Sequence, residues 1–462
     1  MPVLQSTVSR ARIAHPGRRQ SGQALVLGLM ILAVGIALLL LLTRTGTLLS
    51  VRQRLVQAAD ASAYSAAIWR ARVLNSLAYA NRTIVAQEVA IAQAVTLAAW
   101  ARHFETLTGN AEALTAIYPP AAPVLAGLAQ SASAGADLTS HAMASEVSWR
   151  GAPGGGLTAM LEQAQELLLR SANGFGLSAV AHEVARATDR RFSAFALSDH
   201  GSFARFVRRQ DSTEERARLR EVVLASLDPF TGGSRDRDLR LPLPSSCVGR
   251  STQLDKWTLW YRKRGGTTLA EDLGSWLAVD TASVHDWRGS GFLGLGTCRD
   301  REALPLAWGA AGAGVQPDGM VATGAITGSA QTNPTATDLA RTGLAGSEPS
   351  PTYRGLARIH DLADRSQAYP VSRVAVLVRA DRERGLVDST AVPSFGAAVR
   401  SSPAAASGLP SRLWALSAAE IYFRAPPGQG RIEYASLYSP FWQVRLSSPS
   451  DAEHAEARGH AR

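Results

Sequence analysis

Residues Ala24–Thr43 read ALVLGLMILAVGIALLLLLT, twenty positions without a charged side chain. At 1.5 Å per residue, a helix of about 20 residues spans about 30 Å, the thickness of a bilayer's hydrocarbon core. No second run of comparable length and hydropathy occurs in the 462 residues, so the sequence predicts a single-pass membrane protein. Gly28 and Gly35 do not form the GxxxG face of close-packed membrane helix pairs. Arg10, Arg12, His15, Arg18 and Arg19 precede the run, with no acid in the first 22 residues. That asymmetry places the N-terminus in the cytoplasm and the bulk of the chain outside it. Arg44, Arg52 and Arg54 follow the run and reduce the asymmetry without reversing it. A cleaved signal peptide is the alternative. The run is long for that, and Thr43-Arg44-Thr45-Gly46 offers no small-x-small cleavage site, so a retained anchor is expected.

Beyond the run, apolar side chains recur in steps of three and four: Leu48, Val51, Leu55, Ala58, then Trp69, Val73, Leu77, Ala80, Ile84, Ile91 and Val95. This spacing puts them on one stripe of a helix. No proline or glycine interrupts Thr47–Thr108, so the anchor is expected to continue directly into a long Ala-rich stalk. The stripe packs either on the chain's own domain or on a partner.

The residues around this junction carry a resemblance. Arg18-Arg19 precedes Ser21-Gly22-Gln23-Ala24 and the apolar helix. Then comes Val51-Arg52-Gln53-Arg54-Leu55-Val56-Gln57-Ala58-Ala59-Asp60-Ala61-Ser62-Ala63. The pattern resembles the N-terminal signature of TadE/TadG-like proteins of the Tad (Flp) pilus assembly system, over roughly residues 18–70. The closing segment Ala435–Leu446, with Pro440 and Trp442, is similar to the end of some longer family members, with Ser439 where those carry asparagine. The resemblance implies an assembly component in the bacterial inner membrane. Its partners would be the membrane and other pilus assembly or pilin-like proteins, with homo-oligomerisation through the stalk as an option. Gly22, Arg52, Leu55, Ala59 and Asp60 are the expected interaction residues. Small neighbours let a second helix approach Asp60 closely, and an arginine such as Arg54 is its candidate counter-ion. Five residues after Gly22 stands Leu27, where pilins cut by prepilin peptidase carry glutamate, so processing after Gly22 is not expected. The von Willebrand A domain of longer TadG-like proteins is not expected either. Asp211-Ser212-Thr213 and Asp388-Ser389-Thr390 both lack the Asp-x-Ser-x-Ser spacing.

The rest of the chain reads as α+β. The expected partition is a basic tail (1–22), the membrane helix (23–43), the stalk (44–108) and a helical region (109–240). A β-containing region (241–308), a Gly/Ala-rich linker (309–352), a β-containing C-terminal region (353–447) and a disordered tail (448–462) follow. Within it, Met160–Arg170, Val180–Phe195 and Thr213–Leu227 have helical patterns, and Ser212 with Glu215 has capping-box spacing. Trp257–Tyr261, Val371–Arg379, Leu413–Phe423, Ile432–Leu437 and Trp442–Leu446 read as strands, and Lys263–Gly266 as a turn. Cys247 and Cys298 are the only cysteines; in an oxidising periplasm they are expected to pair. Closing a loop of that size contributes roughly 4 kcal/mol in the chain-entropy model.

The chain has 48 Lys+Arg against 38 Asp+Glu, but the densely charged stretch 185–240 interleaves both signs. That pattern is a solvated surface, not a one-sign nucleic-acid patch, and no nucleic-acid partner is expected. No enzyme chemistry is expected and no cofactor is implied. His182-Glu183 fails HExxH because residue 186 is arginine. Gly289–Gly294 spells GxGxxG without a preceding apolar strand or a following helix. Ser178 lacks the second glycine of a nucleophile elbow, and the sequence adjacency of Asp199, His200 and Ser202 says nothing about a triad. A tethered binding or sensing module using Trp257, Trp260 and Trp287 is the alternative function.

Overall fold

The computed structural model describes residues 23–113, 120, 122–151, 156–198, 201–247, 254–289, 297–314, 327–346, 353–364, 369–380, 413–426 and 433–461. The architecture is α+β and is organised by one helix. Helix α1 (Gln23–Ala113) is 91 residues long, about 135 Å at the usual rise. Its first part, through Ser50, is exposed wherever described; from Val51 to Thr108 buried residues recur along it. Helices α2 (Ala122–Gly151), α3 (Leu157–Ser171) and α4 (Gly174–Thr188) pack back along it.

Two four-stranded antiparallel sheets cover the rest of the spine. The first contains β1 (Phe192–Ala196), β8 (Val371–Ala380), β9 (Leu413–Phe423) and β10 (Trp442–Ser447), in that order. The second is a meander of β3 (Arg237–Pro244), β4 (Thr258–Leu269), β5 (Trp276–Gly289) and β6 (Cys298–Ala313). A small pair, β2 (Val207–Arg209) with β7 (His360–Leu362), lies apart from both. Short helices α5 (Ser202–Phe206), α6 (Ala217–Ala225), α7 (Pro229–Gly232), α8 (Thr327–Thr332), α9 (Pro334–Gly346) and α10 (Asp451–Ala461) complete the described chain.

Each sheet buries a different stretch of α1. Leu55, Ala59, Ala63, Ala66, Leu74 and Leu77 enter one core with Phe192, Val376, Val378 and Ile421 of the first sheet. Ile84, Ile91, Val95 and Ala99 enter another with Leu269, Trp276, Ala278 and Ala311 of the second. Alanine on the helix keeps helix propensity high and lets a sheet come close. The closest approach is at Gly309, where a Cβ would stand 2.2 Å from the Ala99 carbonyl oxygen.

Several expectations change. Residues 309–352 are not simply a linker: β6 runs to Ala313, and α9 buries Ala336 and Ala340. Their scarcity of large apolar groups reflects close packing by small ones. The tail is also ordered in part, since α10 seats Ala457 against Leu197 and Leu377. Its capping box, with Ser450 N–H donating to Glu453 Oε2 and Glu453 N–H donating to Ser450 Oγ, starts that helix. The region 109–240 contains three strands, because the helical pattern of Val180–Phe195 breaks at Asp189 and resumes as β1. Lys263–Gly266 lies inside β4: a Cβ on Gly265 would fall 2.1 Å from Asp280 Oδ1, so glycine there serves a close approach, not a turn. The described residues Glu433–Leu437 form no strand.

Candidate functional site

The segment singled out by the sequence is one helix in two environments. Ala24–Thr43 carries no buried residue, and Leu25, Met30, Leu32 and Leu42 are among its widely exposed side chains. Its best window has mean hydropathy 3.1; among the described residues α1 is the one helix long and apolar enough to cross a membrane. Thr43 and Thr45 turn their hydroxyls onto the Leu40 and Leu41 carbonyls, both at 3.0 Å, so neither needs an outside partner.

The expected interaction residues separate. Gly22 lies outside the described residues. Leu55 and Ala59, each 1% exposed, point into the chain's own core, which corrects their assignment to a partner. The stripe they belong to is covered by β1, β8 and β9, strands brought there by pairings far along the chain. Arg52 is exposed and Asp60 half-buried. Asp60 makes no ion pair with Arg54 among the described residues; six residues apart, the two point to different sides of the helix. Asp189, at the end of α4, has its carboxyl held below its usual range chiefly by its hydrogen bonds from Arg191, with a smaller contribution from the charge of Arg54. Asp60 shares its outward side with Val56 and Tyr64, both more than two-fifths exposed.

The buried side of the spine carries polar residues that the apolar pattern did not reveal. Arg70 is 1% exposed; its Nε donates to the Ala172 carbonyl and its Nη1 to the Arg373 carbonyl, at 3.2 and 3.0 Å. Its guanidinium also lies 4.2 Å from the Phe203 ring centre. Asn75 pairs with Trp442 as a neighbouring strand would, donating to its carbonyl at 3.1 Å and accepting from its N–H at 3.0 Å. Asn81 donates to the His360 and Leu437 carbonyls and accepts from Gln165. Ser62 reaches the Ala181 carbonyl, and Arg82 the Tyr438 carbonyl. Helix side chains thus hold the ends of α3 and α4 and the segment leading into β10. Arg70, Asn81 and Glu88 are 11 and 7 residues apart, close to whole turns, so a shared face was legible.

Two buried titratable groups lie further along. Glu88 accepts from Tyr353 Oη at 2.8 Å and from Trp276 Nε1 at 3.4 Å; burial pushes its carboxyl up to about 7 despite those bonds. His103 is held down to about 4, first by burial. Nearby Asp280 is fully buried, with Arg235 bidentate at 2.8 to 3.2 Å and Lys263 at 2.8 Å. A buried carboxylate with two cations and good geometry is satisfied, and it fixes β4 to β5.

Cys247 and Cys298 are joined as a disulfide with a Cα–Cα distance of 6.2 Å. The three tryptophans lie on or beside the second sheet: Trp260 between Arg240 and Arg262, Trp287 under Lys256 at 5.2 Å, and Trp257 37% exposed. A cleft of about 410 Å³ is lined by Arg262, His285, Asp300 and Thr335 among others. There, Arg262 Nη1 lies 2.7 Å from Asp300 Oδ2 and His285 Nδ1 3.3 Å from Asp300 Oδ1. His285 Nε2 meets Asn333 Oδ1 at 2.8 Å, and Ser283 Oγ donates to Glu302 Oε1 at 2.6 Å. The GxGxxG glycines after Gly289, and Asp199 with His200, lie outside the described residues.

Residues 22–71 match the family model described as Flp pilus-assembly TadE/G-like. No curated protein matches the chain. No solved structure matches it either. The matched residues run from the head of the exposed apolar segment to Ala71, one residue past buried Arg70. Over these residues the chain is similar to the N-terminal segment of TadE/G-like Flp pilus-assembly proteins.

Proposed function

We propose that the protein is a membrane-anchored structural component of a Tad (Flp) pilus or a related secretion system, without enzymatic activity. Its N-terminus would be cytoplasmic and its bulk periplasmic. The observation that carries this reading is the continuity of α1: twenty uncharged residues, every one exposed, pass without a break into the spine of a two-sheet domain. A helix exposed in this way in water would leave a large apolar surface uncovered, and a bilayer covers it. The spine then transmits the anchor's position and tilt rigidly to both sheets.

Contacts with other pilus components, or with a second copy, would use the outward side of α1 at Val56, Asp60 and Tyr64, since Leu55 and Ala59 serve the chain's own core. Small Ala61 on that side permits close approach of a second helix. Fractionation of a strain making a C-terminally tagged chain tests the reading, comparing sheared filaments, inner membrane and soluble periplasm. Recovery in the inner membrane at full mass supports an anchored assembly component. Recovery in sheared filaments, shortened by the first 22 residues, would make it a processed minor pilin and overturn the reading.

A further inference from the structure

The end of the domain that faces the anchor is lined with arginine, and the geometry points to an anionic lipid surface as its partner. Arg52 and Arg54 stand exposed on α1. Ser62 bonded to the Ala181 carbonyl and Trp69 bonded to the Ser171 carbonyl set α4 antiparallel to α1, so the end of α4 descends toward the anchor. Thr188 ends α4 seven residues past Ala181, about 10 Å nearer the anchor than Ser62. Exposed Arg186 and Arg190 therefore join Arg52 and Arg54 at one end of the molecule. The first sheet brings a fifth. Phe192 pairs with Ala380, and Arg379 donates to the His460 carbonyl, so α10 ends at this same level with Arg458 exposed.

The acids at this end, Asp60, Glu183, Asp189 and Glu456, are outnumbered by Arg52, Arg54, Arg186, Arg190, Arg191, Arg379 and Arg458. Asp189 is bound by Arg191 at 2.7 Å, and Glu456 accepts from the Ser198 N–H at 2.9 Å and lies 3.8 Å from His460. Glu183 remains exposed. A positive excess is left on the one face that the anchor presses toward the bilayer.

The spacing suits a headgroup layer. Arg52 is nine residues past Thr43, about 14 Å of helix. Headgroups occupy about 6 Å of that on each side of the hydrocarbon core. The side chains of Arg52 and Arg54 lean toward the helix N-terminus, hence toward the membrane. The remaining gap is within the Debye length of about 8 Å at physiological ionic strength. Arginine presents a planar fork that matches phosphate bidentately, and both lysines of this chain lie in the second sheet and the turn before it, far from this face. The collar also gives the arginines after the apolar run a role: they attract the headgroups beside the span.

This inference rests on the membrane-anchored reading, and the test separates the two. The full chain is reconstituted into nanodiscs of phosphatidylcholine alone or with 30% phosphatidylglycerol. Failure to incorporate into either disc overturns the anchored reading itself. In incorporated protein, the rate of arginine modification by a dicarbonyl reagent is followed residue by residue. Arg52, Arg54, Arg186, Arg190 and Arg458 should react about fivefold more slowly in the anionic discs, with 0.5 M NaCl removing the difference. Exposed Arg240 and Arg288, on the second sheet, should react equally in both. The double variant Arg186→Glu/Arg190→Glu should weaken protection at Arg52 and Arg54. Equal rates at the collar in both discs would overturn the proposal, as would equal protection by soluble glycerol phosphate.

Discussion

The two halves of α1 are the same secondary structure in two different solvents. From Ala24 to Thr43 every side chain is exposed and fourteen of the twenty are large and apolar; from Val51 to Thr108 the buried side alternates alanine with larger aliphatics and has polar residues set into it. The first half has no protein neighbour to satisfy, so bulk and hydropathy are its only requirements. The second half must let strands approach its backbone, so alanines are interspersed among the larger aliphatics, and buried strand and helix ends need donors, so Arg70, Asn75 and Asn81 appear. A long apolar helix and a long Ala-rich helix thus differ in what surrounds them, not in how they are made.

The comparison breaks most sharply under truncation of a large side chain. Leu74→Ala, at a fully buried position, should lower the unfolding free energy of the full chain in detergent by about 2–5 kcal/mol. Leu32→Ala, in the exposed half, should leave the same denaturant midpoint unchanged. Equal losses would mean that the first half packs on protein after all.

Next in size is the pH response of the buried half. Glu88 has a folded-state value near 7 against an ordinary 4.5, so the folded state binds its proton more tightly; its contribution is full below 4.5 and is lost as pH rises to 7. His103 has a folded-state value near 4 against 6.5, so the folded state binds its proton more weakly; stability is lost as pH falls from 6.5 to 4. Each spans about 3 kcal/mol, and over 4.5–6.5 the two slopes oppose. Relative to the wild type, Glu88→Gln should therefore make stability rise more steeply with pH in this window, and His103→Gln should make it fall. Parallel curves for both variants and the wild type would refute the opposition.

Smaller again is Asn75→Ala, which removes a two-bond contact with the Trp442 backbone and should cost about 1–3 kcal/mol. Faster amide exchange confined to β10 would show that the helix holds that edge strand. The smallest effect on stability belongs to Asp60→Arg, within about 0.5 kcal/mol because the site is only half-buried. It should weaken pilus assembly while leaving membrane insertion intact, and normal pilus output would count against the outward side of α1 as an interface.

Much of this fold was legible because its signals are local. Strands β8, β9 and β10 were placed within a residue or two, since the short apolar runs Val371–Arg379 and Leu413–Phe423 and the alternation in Trp442–Leu446 are properties of the strands themselves. The uninterrupted run Thr47–Thr108 read as helix for the same reason. The misreadings came where packing overrode composition. Gly265 and Gly266 look like a turn until Asp280 occupies the space a side chain would need. Residues 334–346 look like linker until Ala336 and Ala340 are seen buried.

The sequence by itself determined that a twenty-residue apolar helix continues into an Ala-rich one with a repeating face, and that this junction resembles a pilus-assembly segment. Hydropathy and the 3.6-residue period are written into consecutive residues, so no other part of the chain is needed to read them. Only the tertiary structure decided which side of the spine stays open to partners. β1 pairs with β8 across about 180 residues, and that pairing carries the first sheet onto Leu55 and Ala59 while leaving Asp60 outward. A residue's period tells which neighbours on its own helix share its face; what covers that face depends on strands whose positions no local pattern encodes.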